Sequence, residues 1–196
     1  MDLLVVVDMV NGFVNEGALA DAKINKITQN IVACIEKAKT QGIKIVAFKD
    51  CHEVGDEEFK KFPPHCLKGT RESELIPELQ KYKKDMQLIE KNTTNGFITP
   101  EFYYIANYNE FDNVYVVGCC TDICVQDFVT SYLRFNKENR RKTNVVVLED
   151  ACYTFDAPNH NAELEHYEAI EYMQDMGAKI IKTNLKKNKV EENEKN

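Results

Sequence analysis

Apolar and polar positions change in blocks along the chain, and these blocks predict strands that alternate with helices. Continuous apolar runs are typical of strands that are buried on both faces of a parallel sheet. We predict strands at residues 3–7, 44–48, 87–90, 114–117, 144–148 and 179–182. Segments with helical spacing predict helices at residues 22–41, 100–108, 123–137 and 159–176. The alternation indicates an α/β fold with an open, mainly parallel sheet of about six strands and helices on both faces.

The chain has the length of one domain. Its 196 residues allow a full core, and we predict a single domain over residues 1–185. Residues 186–196 are mostly Lys, Glu and Asn, which predicts a disordered tail. Residues 51–73 lack periodicity and contain two adjacent prolines. So long an irregular loop in a compact domain is usually functional or disordered.

Charge and cysteine usage argue against several classes of protein. The formal net charge is −7 and no basic stripe with interleaved aromatic residues occurs, so nucleic acid is not an expected partner. No apolar run approaches the length of a membrane span, and Met1 leads directly into the first predicted strand. We therefore expect a cytoplasmic protein with no membrane partner. The seven cysteines are odd in number and form no CxxC pattern, so we expect free thiols.

Four chemically active side chains stand at or just after predicted strand ends: Asp8, Asp50, Lys91 and Cys124. Parallel strands end at one edge of a sheet, so we expect these side chains to lie close together. Cys124 also falls at the start of a predicted helix, where the helix dipole favours a thiolate. A cysteine hydrolase needs a thiolate, a proton carrier and donors for an oxyanion. Asp8 suits the proton carrier, and Lys91 suits the cation that orients it.

Each of these residues also has a purely structural interpretation. Cys124 fits a small buried residue, and Lys91 fits an ordinary surface lysine. Asp8 fits a cap after the first strand. Asp122 fits an N-cap of the helix that begins near residue 123. Position alone leaves both interpretations open.

The irregular loop holds three candidate metal ligands, Asp50, His52 and His65. Asp50 and His52 are two residues apart in extended backbone and therefore share a face, and the prolines before His65 restrict its approach. Imidazole and carboxylate ligands suit zinc, iron, manganese or cobalt. Cys51 and Cys66 flank these residues and could add a thiolate ligand. The alternative is a solvated polar loop whose histidines are unrelated.

Three motifs in order resemble those of the nicotinamidase and pyrazinamidase branch of the isochorismatase-like cysteine hydrolase family. The first is Asp8 with a phenylalanine, Phe13, five positions later. The second is Lys91 in Glu-Lys-Asn-Thr-Thr-Asn-Gly-Phe, and the third is Gly-Cys-Cys-Thr-Asp-Ile-Cys124-Val. The similarity in order, spacing and strand placement runs from about residue 3 to about residue 181.

The resemblance implies a fold and a reaction. The fold is an isochorismatase-like, Rossmann-like three-layer domain. The reaction is hydrolysis of nicotinamide to nicotinate and ammonia, a step of NAD salvage, through a thioester on Cys124. Asp8 carries the proton, and Lys91 supports the charged pair. The oxyanion hole comprises the backbone N–H groups of Cys120 and Cys124, preceded by a cis peptide between Cys119 and Cys120.

The resemblance also implies a metal and a ring-binding pocket. Asp50, His52 and His65 match the family's metal ligands, and Glu58 matches a fourth ligand of some members. The cofactor is then one divalent ion, zinc by first expectation, with iron or manganese as alternatives. It binds the ring nitrogen of nicotinamide and positions the amide over the cysteine.

Phe13 and Phe62 match the aromatic residues that sandwich the substrate ring, although ordinary core packing also explains a phenylalanine. The sequence departs from the family at Thr94, where several members carry an aromatic residue, and at the Asn-Gly that follows it. Either the pocket wall is more open, or another aromatic residue such as Tyr103 or Tyr153 fills it.

Other functions remain open on the sequence alone. One is a cysteine hydrolase of another small amide or carbamoyl compound, and another is a catalytically silent ligand-binding relative. A third is a metallohydrolase in which the metal ligands activate water. Family members occur as monomers and as oligomers, so a homo-oligomer is also left open.

Overall fold

Within residues 1–183, six strands form one sheet: β1 (Asp2–Val7), β2 (Lys44–Asp50), β3 (Gln87–Lys91), β4 (Asn113–Cys119), β5 (Asn144–Tyr153) and β6 (Lys179–Ile181). The computed structural model, which describes residues 1–183, places them in the order β3-β2-β1-β4-β5-β6. Every neighbouring pair is parallel. The predicted open parallel sheet is confirmed.

The α-helices lie between the strands in the sequence: α1 (Asn11–Val14), α2 (Thr28–Thr40), α3 (Pro77–Gln80), α4 (Pro100–Tyr108), α5 (Gln126–Glu138) and α6 (Ala162–Asp175). Their starts follow local sequence signals. The Thr99 side chain accepts a hydrogen bond from Phe102 N, with Pro100 at the first helical position of α4. The Asn161 side chain accepts one from Leu164 N and sets the start of α6.

The sheet separates two apolar cores because its side chains alternate between its faces. On β1, Leu4 and Val6 face the core that contains α2. Leu3 and Val5 face the opposite core, which contains α4, α5 and α6. Helices therefore cover both faces, and the predicted three-layer arrangement is confirmed.

Several boundaries differ from the prediction. The segment predicted as a helix over residues 22–41 is a 3₁₀ turn, Ala22–Ile27, followed by α2. The helix after β4 begins with one π turn, Thr121–Val125. β5 continues past its apolar run to Tyr153, because it pairs with β4 again beyond a register shift.

No helix among residues 1–183 has the length and apolar character that crossing a bilayer would require. The predicted tail over residues 186–196 lies outside the described residues, as do the last two residues of the predicted domain, so both remain predictions.

Candidate active site

The carboxyl edge of the sheet brings together the four residues expected there. Asp8 directly follows β1, Asp50 ends β2, and Lys91 ends β3. Cys124 lies in the π turn after β4. All four are buried, with Asp8 fully excluded from solvent.

Gly118 lets β4 approach the backbone of β1 beside Asp8. It pairs with Val7 across the sheet and has a φ of +122°. A Cβ atom here would lie 2.0 Å from the carbonyl oxygen of Val7, so no side chain fits. The close approach brings the turn after β4 next to Asp8, and Cys119 Sγ donates to the Asp8 carbonyl oxygen at 3.2 Å.

Lys91 links the nucleophile candidate to both carboxylates. Its Nζ lies 2.7 Å from Asp8 Oδ2 and 2.8 Å from Asp50 Oδ1. The same atom lies 3.7 Å from Cys124 Sγ. An ammonium in this position compensates two buried negative charges and faces the sulfur. The surface interpretation of Lys91 is therefore wrong.

Burial sets the protonation states of this cluster. It raises the pKa of Asp8 to about 6, although the Lys91 ammonium and the Cys124 thiol act to lower it. It also raises the pKa of Cys124 well above its usual range, against the effect of Lys91. Burial thus opposes the thiolate that a helix start favours. A carboxylate that titrates near 6 is suited to accept the thiol proton near neutral pH.

The irregular loop folds back on itself and brings two histidines together. His52 N donates to the Cys66 carbonyl oxygen at 3.0 Å, and Lys68 N donates to the His52 carbonyl oxygen at 2.8 Å. This pairing carries His65 alongside His52, with their ring centroids 4.6 Å apart. Both Nε2 atoms face Asp50 Oδ2, at 3.0 Å from His52 and 3.1 Å from His65.

The Nδ1 atoms of His52 and His65 have other hydrogen-bond partners. His52 Nδ1 lies 3.1 Å from Asp56 Oδ2, and His65 Nδ1 lies 2.8 Å from the Pro63 carbonyl oxygen. These partners accept a hydrogen bond from an Nδ1–H, which leaves each Nε2 lone pair directed at the Asp50 carboxylate. Nitrogen lone pairs and a carboxylate repel each other, so this arrangement requires positive charge between the two Nε2 atoms and Asp50, supplied by protons or by a metal ion. The three buried residues therefore fit a divalent metal.

Asp56 is a functional candidate that the sequence analysis missed. It holds His52 in place, and its only sequence signal is its position four residues later in the same loop. Glu58 lines the adjacent pocket but does not join the group of ligand atoms around Asp50. Cys51 and Cys66 also lie outside that group, and burial raises the pKa of both thiols.

A pocket of about 380 Å³ opens beside these residues. Its wall includes Cys120, Cys124 and three aromatic side chains, Phe13, Phe62 and Phe155. Phe13 and Phe62 both lie near the His65 ring, at centroid distances of 5.7 Å and 6.3 Å. The peptide bond between Cys119 and Cys120 is cis, as the resemblance implies.

The third aromatic residue that lines the pocket is Phe155, which agrees with the expectation of another aromatic residue, although the two examples given, Tyr103 and Tyr153, do not line it. Tyr103 packs against Phe97 and Phe135, away from the pocket. Thr94 does line the pocket.

The polar residues of this wall have specific partners. The Thr94 hydroxyl donates to Asp127 Oδ2 at 2.6 Å. Asp122 binds His160 at 2.7 Å and does not cap α5, which corrects its interpretation as a cap.

Curated relatives match most of the chain. "Nicotinamidase 1" from Arabidopsis thaliana is 31% identical over 91% of this chain and 84% of its own. "Probable inactive nicotinamidase At3g16190" from the same organism is 25% identical over 82% of this chain and 85% of its own.

Solved structures of related proteins share the fold. The N-carbamoylsarcosine amidase of Thermoplasma acidophilum is 28% identical, with a TM-score of 0.78, over 95% of this chain and 98% of its own. The pyrazinamidase of Pyrococcus horikoshii in complex with zinc is 27% identical, with a TM-score of 0.75, over 92% and 98%. The isochorismatase domain matches residues 2–184. The chain therefore belongs to the isochorismatase domain family.

Proposed function

We propose that this protein is a metal-assisted cysteine amidohydrolase that converts nicotinamide to nicotinate and ammonia and serves NAD salvage. The observation that carries the proposal is the placement of one ammonium, Lys91 Nζ, 2.7 Å from Asp8 and 3.7 Å from Cys124 Sγ. A candidate metal-ligand set adjoins it, because Asp50 of that set contacts Lys91. The similarity to a plant nicotinamidase and to a zinc-bound pyrazinamidase supports the choice of substrate.

The reaction begins at the thiol. Asp8 accepts the proton of Cys124, and the thiolate attacks the amide carbon. The backbone N–H groups of Cys120 and Cys124 stabilise the oxyanion. The C–N bond breaks as the amide nitrogen receives the proton from Asp8, and ammonia leaves a thioester on the sulfur.

The second half releases the acid. Asp8 accepts a proton from a water molecule, whose oxygen attacks the thioester carbon. The carbon–sulfur bond breaks, nicotinate leaves, and the proton returns to the cysteine sulfur. Lys91 keeps its charge throughout, because Asp8, Cys124 and Asp50 raise the pKa of Lys91 even though burial acts to lower it.

Asp50, His52 and His65 would hold the metal, with Glu58 a weaker fourth candidate. When bound, the ion supplies a Lewis acid for the ring nitrogen of the substrate. Phe13 and Phe62 would hold the flat ring between them.

The experiment is ammonia release from nicotinamide by the purified wild type and by Cys124→Ala, with and without chelator. Fast release by the wild type that is lost in the variant supports the mechanism. Release that survives Cys124→Ala but disappears with chelator would instead establish a metallohydrolase. Absence of release by both would favour a silent relative or another substrate.

A second candidate is a related hydrolase of a carbamoyl compound, favoured by the similarity to N-carbamoylsarcosine amidase. A panel of small amides and carbamoyl compounds distinguishes the two. Preferred turnover of a carbamoyl compound by the metal-loaded wild type would replace nicotinamide as the substrate.

A further inference from the structure

The third aromatic residue that lines the pocket, Phe155, stacks on a histidine that does not itself line the pocket. Phe155 lines the pocket, two residues after the end of β5. The His160 ring lies flat against the Phe155 ring, with centroids 4.0 Å apart and an interplanar angle of 4°. A short turn allows this stack, because Ala157 and His160 exchange both backbone hydrogen bonds and fold His160 back over Phe155.

Both nitrogens of the His160 ring face hydrogen-bond acceptors. Nδ1 lies 2.9 Å from the carbonyl oxygen of Phe155, and Nε2 lies 2.7 Å from Asp122 Oδ2. A neutral imidazole donates from one nitrogen only, whereas an imidazolium donates from both. The geometry therefore fits a cation stacked on the face of Phe155, an arrangement that attracts the ring. With two bonds and one stack, the His160 ring has little freedom to turn.

The same contacts connect the pocket wall to the nucleophile. Asp122 belongs to the π turn that carries Cys124, two residues away. His160 therefore joins that turn to Phe155 through one ion pair and one ring stack. The side chains of Asp122 and His160 are 14% and 19% exposed, so solvent screens this pair only in part.

We propose that His160 is a positioning residue, which holds Phe155 at a fixed place relative to Cys124 as a contact surface for the flat ring of the substrate. This inference rests on the proposed function, because it requires an aromatic amide as substrate. Phe155 supplies an aromatic surface in a pocket that has a small hydroxyl side chain at residue 94.

The test separates substrate positioning from general stability. His160→Ala removes the stack and the bond to Asp122, and we expect the KM for nicotinamide to rise about fivefold to tenfold with kcat within about twofold. His160→Phe restores a flat ring against Phe155 and should recover most of the KM. Glu165→Gln is the control, because it removes a charge close to His160 and Asp122 without removing the stack or either hydrogen bond.

Three results would overturn the proposal. They are an unchanged KM in His160→Ala, a fall in kcat as large as the rise in KM that His160→Phe does not recover, and an equal rise in KM in Glu165→Gln. A lowered melting temperature with unchanged KM would show a structural role only. If the wild type hydrolyses another aromatic amide instead of nicotinamide, the proposed substrate fails and the same variants are compared on that amide. If it accepts only substrates without a ring, both proposals fail.

Discussion

Lys91→Met is the substitution that most directly tests how the charged cluster is held together. Methionine has a similar length but carries no charge, so it leaves the Asp8 and Asp50 carboxylates buried without the ammonium that contacts both. At 2.7 Å and an effective dielectric constant of 20, one such attraction is worth about 6 kcal/mol. Relief of the cost of burying Lys91 offsets part of this. We expect the free energy of unfolding to fall by about 3–5 kcal/mol at pH 8.

The loss of stability caused by Lys91→Met should be smaller at low pH. The pKa of Asp8 is about 6 in the folded protein, above its unfolded value, so stability from this group is present at low pH and lost as pH rises through 6. Lys91 acts to lower that pKa, so the pKa rises further in the variant. As pH falls, protonation of Asp8 therefore increases the stability of the variant more than that of the wild type. Between pH 8 and pH 5.5, the difference between the two proteins should shrink by about 2 kcal/mol.

Urea unfolding followed by circular dichroism measures these differences, with chelator present so that only side-chain charges contribute. The double variant Lys91→Met with Asp8→Asn removes the charge that Lys91 compensates at Asp8, and it should recover part of the lost stability at pH 8. A loss below about 1 kcal/mol, or one that does not change with pH, would refute the assignment of Lys91 as the compensating cation.

Three further changes have defined outcomes. If Asp8 is the base, kcat/KM for ammonia release should fall as pH drops below about 6, and a flat profile from pH 5 to 8 would contradict that role. Asp56→Asn should weaken metal binding about 10-fold to 100-fold, because Asp56 orients His52. Titration calorimetry measures this, and equal metal affinity in the variant and the wild type would exclude this role. Gly118→Ala should destabilise the fold by at least about 3 kcal/mol, because the added Cβ clashes with β1. Gly42→Ala, at positive φ in open space, should cost about 1–2 kcal/mol. Similar losses in the two variants would argue against the close approach of β4 to β1.

The sheet could be predicted from the sequence because its strands are continuous apolar runs. The same logic brought Asp8, Asp50 and Lys91 to one edge, since each stands at or just after the end of a predicted strand. The second half of β5 could not be predicted, because Glu149 and Asp150 interrupt the apolar pattern. Pairing with β4 beyond the register shift is what makes that segment a strand.

The contacts around the site were harder to predict, because they join residues without a shared periodic pattern. Asp56 and His160 are ordinary loop residues in the sequence, and only the folded loops bring them to His52 and Asp122. Phe155 follows the unpredicted part of β5, so its place in the pocket depends on the same tertiary pairing. Motif spacing therefore identifies groups that could react, whereas their supporting partners require the fold.

Asp50 couples the two halves of the site because its two oxygens have different partners. Oδ1 accepts from Lys91, whereas Oδ2 faces His52 and His65. The negative charge of Asp50 also acts to raise the pKa of Asp8. Asp50→Asn should therefore lower the pKa of Asp8 below about 6, because Lys91 is then shared with fewer charges. A carbon-13 titration of the Asp8 carboxyl group measures this. A pKa that stays at about 6 would show that the candidate metal ligands and the nucleophile cluster are electrostatically independent, and a pKa that rises would contradict the sign of the coupling.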